Sequence, residues 1–288
     1  MSSSLFFFQQ PDFIFRNGQS NIISFNGEGG VSICFTKIDR HLVSSARSPF
    51  GSFIIPEDVI DKSSLKALIE VVLLEAESLA IESIEIKCFP EVYAPQKAKA
   101  VCDVLFAVGF RLKYKEITQL LLIDQALNLN ADRRRKIKQC TEHQFSFREL
   151  ATASLPEAYN LFLQSRRNKG YPLTMTLQDF FDEFTKFPLR YKLYGVWDGD
   201  QLIAASVVVI INDEILYYFF SGDNLAYRNS SPTSYLVYHL YQLARRMNYK
   251  FIDLGISTDR GILNNGLYYF KKSFGAIDSF KLIFEKSL

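Results

Sequence analysis

One order of elements occurs twice in this chain, and it restricts the folds the chain can adopt. Apolar residues at Leu65, Leu68, Ile69, Val72, Leu73, Ala76 and Leu79 fall at helical spacing, with Ser63 or Ser64 as the expected N-cap. A strand alternating through Ile84, Ile86 and Cys88 follows, then a helix opened by Pro95 and closed by Gly109, then Phe110 and further strand to Ile123. The second half repeats the order: a helix from Thr233 to Met247, a strand from Phe251 to Ile256, a short helix between Gly266 and Gly275, and a last strand from Ile277 to Glu285. The offset is about 165 residues, with little identity between the copies. A repeated helix–strand–helix–strand unit implies two similar α/β halves.

Composition narrows the class. At 48% hydrophobic and 15% aromatic, 288 residues can build a substantial core. A net charge of +2 gives no general attraction to DNA or to a membrane. Cys34, Cys88, Cys102 and Cys140 lack CxxC spacing and read as reduced thiols. His41, His143 and His239 form no metal-ligand set, so no metal is expected. The N-terminal apolar run is too short for a signal peptide, and the longest later run, Leu202 to Ile211, is about half a membrane span. These features point to a cytoplasmic protein with no transmembrane segment, and they leave peripheral contact at the inner membrane face open.

The chain opens with short apolar runs that read as strands: Leu5–Phe8, Phe13–Phe15, Asn21–Phe25 and Val31–Lys37, with turn signals at Asn17-Gly18, Asn26-Gly27 and Gly29-Gly30. Residues 45–53 form a small, turn-rich loop carrying one cation, Arg47, beside Ser48 and Phe50. Asp132 to Lys138 is a basic run on a short helix, either a solvated linker or a phosphate contact. Ser154-Leu-Pro-Glu157 and Thr176-Leu-Gln-Asp179 read as helix starts. Strands Arg190–Asp198, Gln201–Ile211 and Glu214–Phe220 then form an antiparallel meander with a tight turn at Gly199. His239, between Tyr238 and Leu240 in mid-helix, reads as packing.

Several stretches together resemble a known family. Arg134-Arg135-Lys136-Ile137-Lys138, Asn168-Lys169-Gly170-Tyr171-Pro172, the hairpin Trp197 to Ala205, strand Phe251-Ile252-Asp253-Leu254-Gly255, the polar loop Ser257 to Asn265, and Tyr269-Phe270-Lys271-Lys272-Ser273-Phe274-Gly275 occur in this order. The pattern resembles a GNAT acyltransferase domain, here doubled as in the FemAB family, whose best-known members add amino acids to peptidoglycan precursors. The resemblance implies an α/β (α+β) fold of two tandem GNAT-like domains. Each would be a mixed, mainly antiparallel sheet flanked by helices, with residues 1–125 a degenerate first domain and 126–288 the second.

It also implies an acyltransferase moving an acyl or aminoacyl group to an amine of a small molecule or cell-envelope precursor. The lysine of the Phe-Lys pair maps onto Lys271, with Phe270 beside it, as the cation that stabilises the transfer intermediate. Asp253, Asp259, Tyr268 and Tyr218 are the nearest proton acceptors in sequence. Asp253 reads equally as a structural carboxylate at a strand end, and Tyr218 reads better as core. Substrate contacts fall on Arg47, Ser48, Phe50, Arg166, Arg167, Lys169, Tyr171, Asn265 and Phe270, the arginines suiting phosphate or carboxylate. No tightly bound cofactor is expected. The donor is acyl-CoA or aminoacyl-tRNA, the latter making tRNA a partner. In acetyl-CoA-dependent GNAT domains a glycine-rich loop holds pyrophosphate. Here that place reads Tyr227-Arg228-Asn229-Ser230-Ser231-Pro232-Thr233, without glycine, leaving Arg228, Ser230, Ser231 and Thr233 to cap an anion. Two other readings stay open: an acyl-CoA-dependent N-acetyltransferase on a small amine, and a GNAT-fold binding module without chemistry.

Overall fold

The computed structural model describes residues 5–16, 21–56, 60–168, 170 and 173–288. In chain order the elements are α1 (Pro11–Ile14), β1 (Ile22–Asn26), β2 (Ser32–Ile38), β3 (His41–Val43), α2 (Lys62–Ser78), β4 (Ser83–Lys87), α3 (Pro95–Ala107) and β5 (Arg111–Leu122). There follow α4 (Ala131–Glu142), β6 (Ser146–Leu150), α5 (Leu155–Arg167), α6 (Leu177–Lys186), β7 (Tyr191–Asp198), β8 (Gln201–Asn212), β9 (Ile215–Asp223) and α7 (Pro232–Arg246). The chain ends with β10 (Phe251–Ile256), β11 (Thr258–Asp259), β12 (Ile262–Leu263), α8 (Asn265–Lys272) and β13 (Ile277–Ser287).

The chain forms two compact units, each a mixed sheet with helices against it, but the division is not a single cut at residue 125. One unit holds Met1–Thr118, Ile256–Asn264 and Asp278–Leu288; the other holds Gln119–Gly255 and Asn265–Ile277. The reason is strand pairing. β13 runs antiparallel to β4, with Phe284 opposite Ile86, so the last strand of the second repeat completes the sheet of the first unit. The end of β5, from Gln119, belongs in turn to the second unit.

In the first unit β1, β2 and β3 are antiparallel in sequence, and β3 is parallel to β4. Leu65, Leu68, Ile69, Val72 and Ala76 of α2 and Val101, Val104 and Leu105 of α3 pack with Ile33, Phe35, Ile84, Ile86 and Phe284 of the strands. The N-cap of α2 is Asp61, whose carboxylate accepts from the amides of Ser63 and Ser64, instead of either serine. The runs at Leu5–Phe8 and Phe13–Phe15 are not strands. Phe7–Gln9 is a 3-10 turn and Pro11–Ile14 a helical turn, and Phe6, Phe7, Phe8 and Phe13 are all buried in an aromatic cluster with Phe50, Phe89 and Tyr93. Burial on every side removes the alternation that a half-exposed strand needs. The turn signal at Asn17-Gly18 lies outside the described residues.

In the second unit β6, β7, β8 and β9 form an antiparallel ladder, and β10 pairs parallel to β9. β8 is buried at every position from Leu202 to Val209, the pattern of a strand covered on both faces. Leu236, Val237, Leu240, Tyr241 and Ala244 of α7 pack against Val208, Leu216, Ile252 and Leu254. α5 lies directly on β9: a Cβ at Gly222 would sit 2.5 Å from the Leu161 carbonyl oxygen. Thr176 and Asp179 cap α6 reciprocally, whereas Ser154 makes no side-chain cap to α5. The segment expected as a polar loop, Ser257 to Asn265, contains the β11–β12 hairpin, which turns through Arg260 and Gly261 at φ of 50° and 80°.

Candidate functional site

The second unit buries a lysine. β10 reads Phe-Ile-Asp-Leu-Gly-Ile, an apolar strand interrupted by Asp253, which is 1% exposed. Near the end of the strand stands Gly255, where φ is 77°; its N–H donates to Asp253 Oδ1 at 2.7 Å. This local bond meets part of the cost of burying a carboxylate. Lys271, near the end of α8, is 3% exposed and donates from Nζ to the Gly255 carbonyl at 2.6 Å. Its neighbour Lys272 faces solvent, so the two lysines of the pair have different environments.

Electrostatics at this lysine follow from its position. Burial penalises the ammonium and pushes the Lys271 pKa down to about 7, against the opposing pull of the Asp253 charge. Near neutrality the side chain is thus divided between ammonium, which can stabilise a developing oxyanion, and amine, which can accept a proton. Tyr217 lies opposite Asp253 in the β9–β10 ladder, and burial, with the Asp253 charge, holds its phenol well above the usual range.

Phe270 is half-buried, edge-on to Phe274 at 5.3 Å, and the Arg133 guanidinium lies 5.2 Å from its ring centre. Arg133, from α4, also donates to Ser231 Oγ at 3.3 Å and Ser234 Oγ at 2.5 Å, beside the first turn of α7. It is paired with Asp132 at 3.1 Å, its Nε–H is buried without a partner, and burial lowers its pKa. Ser231 takes a left-handed φ of 56° ahead of Pro232. The Ser230 carbonyl accepts the Cys140 thiol at 3.2 Å and the Asn229 carbonyl accepts from Lys136. Of the residues expected to cap a donor anion, Ser230 and Ser231 therefore engage α4, Thr233 lies half-buried in the first turn of α7, and Arg228 is exposed.

The remaining expected contacts disperse. The Tyr268 carbonyl accepts from Gln119 Nε2 at 3.3 Å, and its ring lies against Tyr269 and Lys272. Asn265 opens α8 and is exposed; Asp259 is exposed in the β11–β12 hairpin. The Arg166 guanidinium stands 5.5 Å from the Phe220 ring centre and Arg167 is exposed. Lys169 and Tyr171 lie outside the described residues. His239 stacks on Phe147 at 5.3 Å and meets Tyr235 edge-on at 4.2 Å.

In the first unit, Arg47 lines a cleft of about 470 Å³, open mouth included, together with Arg16, Ser45, Ser52, Thr36 and Cys34. Ser45 and Ser52 are both left-handed, and the Ser52 hydroxyl is buried without a hydrogen bond. Ser48 Oγ donates to the Phe50 carbonyl at 2.6 Å. Phe50 is a correction: at 2% exposure, it is part of the aromatic cluster and offers no surface to a substrate.

Arg16 and Tyr217 are not among the expected site residues, and Arg133 is expected only as one member of the basic run Asp132 to Lys138. Arg133 could have been found: with Ile137 and Cys140 it makes an i, i+4, i+7 set, which places it on the buried face of α4. No such signal marks Tyr217, because its strand neighbours are aromatic on both faces.

Comparison with solved structures supports the fold. FemX superposes with a TM-score of 0.71 at 14% identity, over 98% of this chain and 92% of FemX. L-PGS from Bacillus licheniformis gives 0.64 at 14% identity, over 92% and 83% of the two chains. A tandem GNAT protein from the clavulanic acid biosynthesis pathway gives 0.56 at 10%, over 94% and 85%. No curated protein sequence matches this one. Residues 129–272, half of the chain, match the family described as acetyltransferase (GNAT) domain, and that stretch contains β10, α7 and the buried Lys271 of α8. The chain belongs to the GNAT acetyltransferase-domain family, has a tandem GNAT architecture, and is an acyltransferase.

Proposed function

We propose that the protein transfers an aminoacyl group to an amine, with Lys271 stabilising the intermediate. The observation that carries this is the burial of Lys271 against Gly255 and Asp253, beside Phe270, in the stretch that resembles the FemAB signature. In such a transfer the acceptor amine attacks the ester carbonyl carbon and forms the C–N bond. The carbonyl oxygen takes the negative charge, and the Lys271 ammonium stabilises it. Collapse breaks the C–O bond, and the proton lost by the amine ends on the departing hydroxyl. Asp253 is the charge that keeps Lys271 protonated, and Tyr268 is a secondary candidate for the proton.

Substrate contacts are proposed at Arg47 and Ser48, with Arg16, for an acidic group of a cell-envelope precursor. Arg166, Arg167, Lys169, Tyr171, Asn265 and Phe270 are proposed contacts in the second unit. Arg228, Ser230, Ser231 and Thr233, with Arg133, would meet phosphate of the donor. A second reading, acyl-CoA as donor, draws on that same cation at the first turn of α7, since phosphates bind at helix N-termini.

The two readings separate in one experiment. Purified protein is heated with CoA, acetyl-CoA or a longer acyl-CoA, and in parallel is incubated with charged tRNA and amine acceptors. Aminoacyl transfer without a CoA-dependent rise in melting temperature supports the first reading. A clear rise with acyl-CoA, by mass action, supports the second and overturns the first.

A further inference from the structure

We propose that Glu116 is a binding residue for a primary ammonium group, the class of acceptor that an acyl transfer to an amine requires. Glu116 stands on β5 where the strand passes from exposed to buried: Arg111, Leu112, Lys113 and Lys115 are exposed, and Glu116 is 5% exposed. Its Oε1 accepts from the Arg260 N–H at 2.9 Å, and its Oε2 is buried without a hydrogen-bond partner. A carboxylate is acceptor-only, and burying one is costly unless donors or a cation meet its oxygens. The neighbouring cations of β5 are engaged elsewhere. Lys113 pairs with Glu85 at 2.9 Å and with Glu285 at 3.1 Å, and the Lys115 ammonium lies 4.1 Å from the centre of the Phe280 ring. A buried polar atom left without a partner in a fold calls for a reason, and a primary ammonium brings three donors suited to it.

The turn of the β11–β12 hairpin lies against this carboxylate. Arg260 and Gly261, at φ of 50° and 80°, form the two-residue turn, and the Arg260 amide is the group that meets Oε1. Gly261 comes close to β5: a Cβ there would stand 3.4 Å from the Tyr114 Cβ. At its base the hairpin is fixed by the Ile117 N–H, which donates to Thr258 Oγ1 at 2.9 Å. Its two short strands pair only with one another, so lifting the turn breaks no ladder of the large sheet and opens a path to Oε2. The ligand class follows from the donor set. A zinc or calcium ion needs several protein ligands, and among the described residues no group of three His, Cys, Asp or Glu side chains could hold one. A single carboxylate oxygen suits an ammonium. That this ammonium is the acceptor of the reaction rests on the acyl-transfer reading, whereas its binding to Glu116 does not.

The test is an NMR titration of the full chain labelled with ¹⁵N, using n-butylammonium chloride as the probe at constant chloride and n-butanol as the uncharged control. The Arg260 amide is the reporter, because it donates to Glu116 directly. In wild type, butylammonium should shift this amide to saturation and butanol should leave it in place. Glu116→Gln keeps an acceptor for the Arg260 N–H and the shape of the side chain but removes the carboxylate, and matching amide spectra establish that it is folded. It should bind the probe about tenfold more weakly or worse. An Arg260 amide that butylammonium leaves unmoved, or that butanol moves equally, overturns the proposal, and this wild-type comparison stands whether or not the variant folds. Equal affinity in Glu116→Gln overturns it as well. Because binding of the probe needs no turnover, failure of this site is distinct from failure of the acyl-transfer reading.

Discussion

Lys271 and Lys272 are adjacent in sequence, and only one of them is inside the protein. The phase of the helix explains the difference. Phe270 and Phe274 are half-buried and buried, and Lys271, three residues before Phe274, shares their side of α8. The phase was legible in the sequence; the partners were not, because Gly255 and Asp253 come from a strand that precedes α8 by a hairpin. The burial has a consequence for stability. Folding lowers the Lys271 pKa from 10.5 to about 7, so between those values the unfolded chain binds more protons than the native one. The contribution of Lys271 to stability should therefore rise with pH from about 7 to 10 and be least favourable below 7. Urea unfolding of wild type and Lys271→Met across this range should show the difference between them widening toward wild type as pH increases. A constant difference would mean that Lys271 keeps its ordinary pKa.

At the scale of elements, the periodicity located α2, α7, β10 and α8 to within a few residues, because each has an apolar face or an apolar run bounded by a cap or a glycine. It failed at the N-terminus, where Phe6, Phe7, Phe8 and Phe13 are buried on all sides and leave no alternation to read. The capping box at Thr176 holds in both directions, with Thr176 N–H donating to Asp179 at 2.7 Å and Asp179 N–H donating back at 3.1 Å. At Ser154 the same sequence pattern caps nothing, since that residue is itself helical in φ and ψ and follows a 3-10 turn. Close packing of α5 on β9 depends on the missing side chain at Gly222. A methyl group there would meet the Leu161 carbonyl oxygen at 2.5 Å and the Phe162 nitrogen at 2.7 Å, both backbone atoms that cannot rotate away. Gly222→Ala should cost about 1–3 kcal/mol in urea unfolding; no loss would mean that α5 moves freely on the sheet.

For the whole molecule, the repeat was visible in the order of elements, but the exchange of strands was not. Pairing partners distant in sequence leave no local signature, and a strand in either sheet carries the same alternation. β13 is the last strand of the second repeat, yet Phe284, at 0% exposure, lies in the core of the first unit, with Leu282 packed against it. Removing residues 278–288 should therefore damage the first unit, and α2 and α3 should become the early sites of proteolysis. If the shortened chain resists protease there as the full chain does, β13 is dispensable to that core. At the same scale, no described helix is long and apolar enough to cross a membrane.

The acyl-transfer role of Lys271 is tested most directly by replacing it. Turnover of wild type and Lys271→Ala should be compared at pH 7 with the donor that the wild-type protein accepts, after matching melting profiles confirm that both are folded. Loss of the buried ammonium should reduce turnover by about a hundredfold or more, the scale of removing one group that stabilises a transfer intermediate. A Lys271→Ala protein that works as fast as wild type would remove this lysine from the chemistry.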